Sequence, residues 1–197
     1  MSIVKRTGLK TEKLVFSAVM TAIVVVLQVM AILTRAVLPV FSINLVLIPI
    51  VIGAAVGGVG VGAWLGFASG LAVLISGDAA AFLAVNIPGT LIVVLLKGLA
   101  SGVAAAFVFK LFEKKNRYFA VILAAIACPV ANTGVFVIGS FVFFLDTIRV
   151  WGAGLGYENA FLYVILGMVG INFLIELAVN VILSPTVMKL ISIRKKA

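Results

Sequence analysis

Residues able to do chemistry are few in this chain, and the informative ones stand inside apolar runs. Lys97 interrupts a run from Gly89 to Phe109, and Asn172, Glu176 and Asn180 recur every four residues between Ala160 and Leu183. That spacing sets the three on one face of a helix. Asn132 falls within a further run, from Phe119 to Leu145. An ionisable group inside a membrane span costs about 2.5 to 3.5 kcal/mol on insertion scales, so it faces a cavity or a partner. Lys97 can pair with Glu176, or it can present its ammonium to an anionic solute. At 1.5 Å per residue, Lys97 lies about 13 Å from Pro88 and Glu176 about 24 Å from Ala160, so a direct pair needs helices that begin at different heights. The asparagines suit hydrogen bonds between helices or to a solute. Asn132 and Asn172 come to cavity depth beside Lys97.

Other chemistries lack their residues. The chain has no histidine and one cysteine, Cys128, which excludes a histidine-based triad, a cysteine-pair redox centre, an internal disulfide and the usual zinc cage. No G-x-x-x-x-G-K-[ST] run is present to hold nucleotide phosphates. The expectation is a protein that is not an enzyme, with no cofactor and no metal, whose energy for any active transport comes from a partner or an ion gradient.

The elements that position these residues belong to a membrane. The sequence is 64% apolar and 11% charged, against about 45–50% and about 25% in soluble domains. Residues 36–77 carry no charge, a run about twice the roughly 20 residues of one crossing helix. It divides at Gly57, Gly58, Gly60 and Gly62, where helix propensity falls and a tight turn forms. The pattern predicts an all-α integral membrane protein, one domain over 1–197, with six spans at about 14–33, 45–56, 61–75, 89–109, 119–145 and 160–183. The second and third spans are short and leave room for a cavity above them. Pro88 suits a helix start, and Pro185 interrupts the end of the last span.

Charge sets the orientation. Lysines and arginines gather in three clusters: Lys5, Arg6, Lys10 and Lys13; Lys110, Lys114, Lys115 and Arg117; Lys189, Arg194, Lys195 and Lys196. Short basic loops stay in the cytoplasm, so both termini and the central link are cytoplasmic and the net charge of +9 encodes topology. Nucleic acid is not the partner, because the basic residues lack interleaved aromatics and a folded platform. The outward loops carry Asn44, Asp78 and Asn86, and Trp151, Tyr157 and Tyr163 serve as interfacial anchors or form a lid. Small residues at four-residue spacing allow close helix approach. Gly62, Gly66 and Gly70 form one such track and Gly98, Gly102 and Ala106 another, both for internal packing. Ala18 and Ala22 form a pair where a helix of another subunit can seat.

Several runs together resemble the substrate-binding S components of energy-coupling factor (ECF) transporters, over almost the whole chain. They are Ala18-x-x-x-Ala22, Leu47-Ile-Pro-Ile-Val-Ile-Gly53, Asn86-Ile-Pro-Gly-Thr90 and Pro129-Val-Ala-Asn-Thr-Gly134. The resemblance implies a vitamin-binding subunit of a prokaryotic plasma membrane, associated with a transmembrane coupling subunit and two cytoplasmic ATPases. It implies that Ala18 and Ala22 contact the coupling subunit. It also places the solute near the outer side, held by helices four to six under the first and third outward loops. The candidate solute-binding set is Asn44, Asn86, Lys97, Asn132, Asn172 and Glu176. Within the family the chain looks closest to the group with riboflavin- and pantothenate-specific members. It has Ser42-Ile-Asn44 where riboflavin binders have Lys-x-Asp-Phe, and Lys97 can meet a carboxylate, so pantothenate or another anionic vitamin comes ahead of riboflavin. Two other readings are a solitary proton-coupled transporter with Glu176 as proton carrier and a membrane assembly factor with no solute.

Overall fold

The computed structural model describes the backbone of residues 2–37 and 45–196 and the side chains of residues 11–33, 45–189 and 191. Asn44 lies outside the described residues. All secondary structure among them is helical: α1 (Ser2–Val37), α2 (Leu47–Gly57), α3 (Val59–Ile75), α4 (Ala80–Leu83), α5 (Ile87–Phe112), α6 (Arg117–Phe143), α7 (Leu145–Gly154), α8 (Ala160–Leu162), a π-helical stretch (Tyr163–Gly170) and α9 (Ile171–Lys196). The stretches Thr11–Leu33, Ile87–Phe112, Arg117–Phe143 and Ala160–Lys189 are long and apolar enough to cross a bilayer, whereas α2 and α3 are shorter. Much of that apolar surface is exposed, including Val26, Leu33, Phe107, Ile138, Leu166 and Ile182. Lipid is the solvent such a surface requires.

Because hydrocarbon offers helices little reason to associate, backbone approach and interior side-chain packing hold the bundle together. The approach is closest between α3 and α5. A methyl group at Gly66 would overlap the Gly98 carbonyl, one at Gly98 the Gly66 carbonyl, and one at Gly102 the Gly62 carbonyl. Both glycine tracks therefore serve internal packing. Leu47, Ile50, Val51 and Ala54 of α2 are buried with Val24, Leu65, Ala105, Phe109, Val121, Cys128 and Ile191. Trp64 ties α3 to α1, its Nε1 donating to Thr21 Oγ1 at 3.0 Å.

Three local features depart from the sequence pattern. The α2–α3 connection is Gly58 alone, at φ +80°, a conformation that glycine adopts without a Cβ clash. Pro185 sits inside α9 and does not end it, a tolerance usual in membrane helices, where neighbouring groups satisfy the freed backbone. The final leg contains the π-helical stretch Tyr163–Gly170, which a uniformly apolar sequence does not advertise.

Both described ends of the chain, the α2–α3 turn and the α5–α6 link lie at one end of the bundle. Glu12, Lys13, Gly58, Lys110, Arg117 and Ile191 all line one cavity there, of about 630 Å³. The large space thus lies beyond the α2–α3 turn at this terminal end. Its cause is that α2 stops at Gly57 while α1, α5 and α9 run on past it.

Candidate functional site

Away from the terminal end, Lys97 of α5, Asn132 of α6, Gln28 of α1 and Ser69 of α3 converge on a second cavity, with Val46, Leu47, Val73 and Val94 as its apolar wall. Its volume is about 10 Å³, near the lower limit for one water molecule. Asn132 is 9% exposed, Gln28 3% and Ser69 7%, so these polar groups are withdrawn from lipid. Ser69 Oγ donates to the Gly66 carbonyl at 2.7 Å, and Gln28 Nε2 donates to Asp78 Oδ2 at 3.5 Å. Among the described residues no side-chain hydrogen bond is made by Asn132. The Asn132 amide, with two donors and one acceptor oxygen, thus has no hydrogen-bond partner among the described residues. Lys97 Nζ lies over the Phe136 ring, 5.4 Å from its centroid, an arrangement that steadies a cation away from water.

An aromatic cluster adjoins Lys97 through Phe136. Phe82 of α4 meets Phe136, Phe144 and Trp151 edge-on, with centroids 5.9, 5.0 and 5.5 Å away. The segment from Asp78 to Asn86 is thereby closed from two sides, by the Gln28 contact and by the Phe82 cluster. Trp151 is half-buried in that cluster. Tyr157 and Tyr163 pack on each other at 5.3 Å.

The other sequence-derived residues take separate positions. Asn86 caps α5: its side-chain oxygen accepts from Gly89 N at 2.9 Å, and its Nδ2 donates to the Phe143 carbonyl at 3.5 Å. Asn172 and Glu176 are half-buried on α9, each engaged in an interaction within the protein, and do not line the small cavity. Glu176 is within electrostatic reach of Cys128, one helical turn from Asn132 on α6. Asn180 is buried and its Nδ2 donates to the Glu176 carbonyl of its own helix at 2.8 Å. Ala18 and Ala22 are exposed on α1, a helix whose apolar span is only 11% buried. Gln28, Ser69, Phe82 and Phe136 were not singled out by sequence. Gln28 is a polar amide in an uncharged span and carried a usable signal. Phe82 carried none, because its partners lie far away in sequence.

A polar interior in an apolar helical bundle fits many solute carriers, and comparison with known proteins narrows the class. The family model described as "ECF transporter, substrate-specific component" matches residues 12–188. The chain belongs to this family. The S component is therefore a membrane protein and a substrate-specific subunit of an ECF importer, a class of transport subunit and not of enzyme. No curated protein and no solved structure matches it.

Proposed function

We propose that this S component captures a water-soluble vitamin or vitamin precursor, with pantothenate or another anionic vitamin ahead of riboflavin. The observation that carries the reading is the unused Asn132 amide beside the Lys97 ammonium in a buried, polar-lined space. Ammonium meets a carboxylate, and the amide fixes its orientation through neutral hydrogen bonds. A vitamin is far larger than 10 Å³, so it enters by displacing the segment carrying α4 and by drawing α6 and α9 apart. Asn172 and Glu176 then join the wall from α9. Glu176 balances Lys97 when no anion is bound.

Six helical legs cross the membrane in this reading, with both termini and the basic α5–α6 link in the cytoplasm of a prokaryotic cell and the α4 lid outside. A transmembrane coupling subunit and two cytoplasmic ATPases supply the energy. Ala18 and Ala22 form the docking surface on α1. Their exposure supports this, since small residues left uncovered on a loosely packed helix admit a second helix closely.

Docking and capture are separable by experiment. Ala18→Trp or Ala22→Trp abolishes uptake in cells that supply the ATPases and coupling subunit, while the purified variant binds solute as tightly as the wild type. Unimpaired uptake would remove this docking surface. Accumulation by the chain alone, dissipated by a protonophore, would remove the ATP-driven reading.

A further inference from the structure

The terminal-end cavity plays no part in the proposed solute capture, and its lining carries charge of both signs. Lys13 of α1, Lys110 of α5 and Arg117 of α6 converge there with Glu12 and Glu113. Among the described residues no ion pair or side-chain hydrogen bond joins the charged groups of these five. The Arg117 Nε is buried with no hydrogen-bond partner. Opposite charges set apart around one cavity of about 630 Å³ suit a ligand with both an anionic and a donor group. The remaining wall is apolar, formed by Ala54–Val59, Ala106, Phe109 and Ile191.

Position narrows the ligand. The cavity stands where apolar spans end, since Arg117–Phe143 begins there and Ile87–Phe112 finishes there. That is the depth of lipid headgroups, and basic pockets between membrane helices bind anionic headgroups. We propose that this cavity holds the headgroup of an anionic phospholipid, its phosphodiester between Lys13, Lys110 and Arg117 and its hydroxyls donating to Glu12 and Glu113. The five side chains sum to a single positive charge, which one phosphodiester neutralises. The acyl chains follow the apolar wall into the bilayer. The site takes this lipid whatever solute the protein carries.

Native mass spectrometry of the full chain, in micelles containing equal amounts of phosphatidylglycerol and phosphatidylcholine with matched chains, tests this. Wild type retains phosphatidylglycerol in preference, and Lys110→Gln and Arg117→Gln each reduce retention about fivefold, the effect of one cation near a membrane surface. Lys114→Gln, an exposed cation outside the cavity, leaves retention unchanged. Melting temperatures in phosphatidylcholine alone confirm that all variants are folded. Equal retention of the two lipids, or an equal loss in Lys114→Gln, would overturn the proposal. So would displacement by inorganic phosphate, which indicates a free-anion site, or expulsion of the lipid on adding the coupling subunit, which indicates a protein contact.

Discussion

Lys97 and Phe82 both meet the ring of Phe136. The Lys97 ammonium lies 5.4 Å from the Phe136 centroid, and Phe82 meets the same ring edge-on at 5.9 Å. The segment carrying α4 and the Lys97 ammonium therefore share a neighbour. In the proposed capture, movement of α4 alters the surroundings of Lys97, and a solute beside Lys97 alters the support of α4.

Phe82→Ala tests the lid. It removes edge-on contacts to Phe136, Phe144 and Trp151, and an aromatic pair contributes about 0.5–1.5 kcal/mol beyond area burial. Solute affinity falls about tenfold, mainly through faster release. Stopped-flow dissociation from the purified protein measures this, and an unchanged off-rate would show that α4 does not gate the site.

The α3–α5 contact gives a prediction about stability. Gly66→Ala drives a methyl into the Gly98 carbonyl, where no flexible side chain can yield. Overpacking costs about 1–3 kcal/mol and at times more, so the melting temperature in detergent drops sharply or the protein fails to fold. Gly60→Ala is the internal comparison, since nothing lies within 4 Å of the added methyl. It leaves stability unchanged or raises it by up to about 1 kcal/mol through helix propensity. Equal melting temperatures for the two variants would contradict the packing.

Asn86 positions α5 through its cap. Asn86→Ala loses the bond to Gly89 N and costs about 1 kcal/mol, whereas Asn86→Asp retains that acceptor and gives up only the longer Nδ2 contact to the Phe143 carbonyl. Thermal melts therefore separate the variants, with Asn86→Asp between wild type and Asn86→Ala. Calorimetric affinity of Asn86→Asp also stays at the wild-type value. A large loss of affinity at full stability would instead make Asn86 a solute contact.

What was legible in the sequence follows from the range of the forces involved. Lys97 and Asn132 stood out because a polar residue in an apolar run carries a penalty that burial must offset, and the structure brings both to the same cavity. The glycine tracks were legible for a similar reason, since repeated loss of side chains on one face signals a close neighbour. The aromatic cluster was not, because Phe82, Phe136, Phe144 and Trp151 come together only through tertiary packing. Nor was the π-helical stretch at Tyr163–Gly170, where every residue type suits lipid whatever the helical period. The space above the short spans is small, with the larger one beyond the α2–α3 turn. Relative helix ends, which no single segment encodes, decide that.

The central claim is that Lys97 meets an anionic vitamin, and titration calorimetry of pantothenate and riboflavin into wild type and Lys97→Ala tests it most directly. Truncating one member of a buried charge pair costs about 2–5 kcal/mol, so wild type binds the anionic vitamin and Lys97→Ala loses well over tenfold in affinity. If Lys97 served only to neutralise Glu176, the single change would lower the melting temperature without solute, and Lys97→Met with Glu176→Gln would restore both stability and affinity. A stable Lys97→Ala protein that binds the vitamin as tightly as wild type would contradict the account.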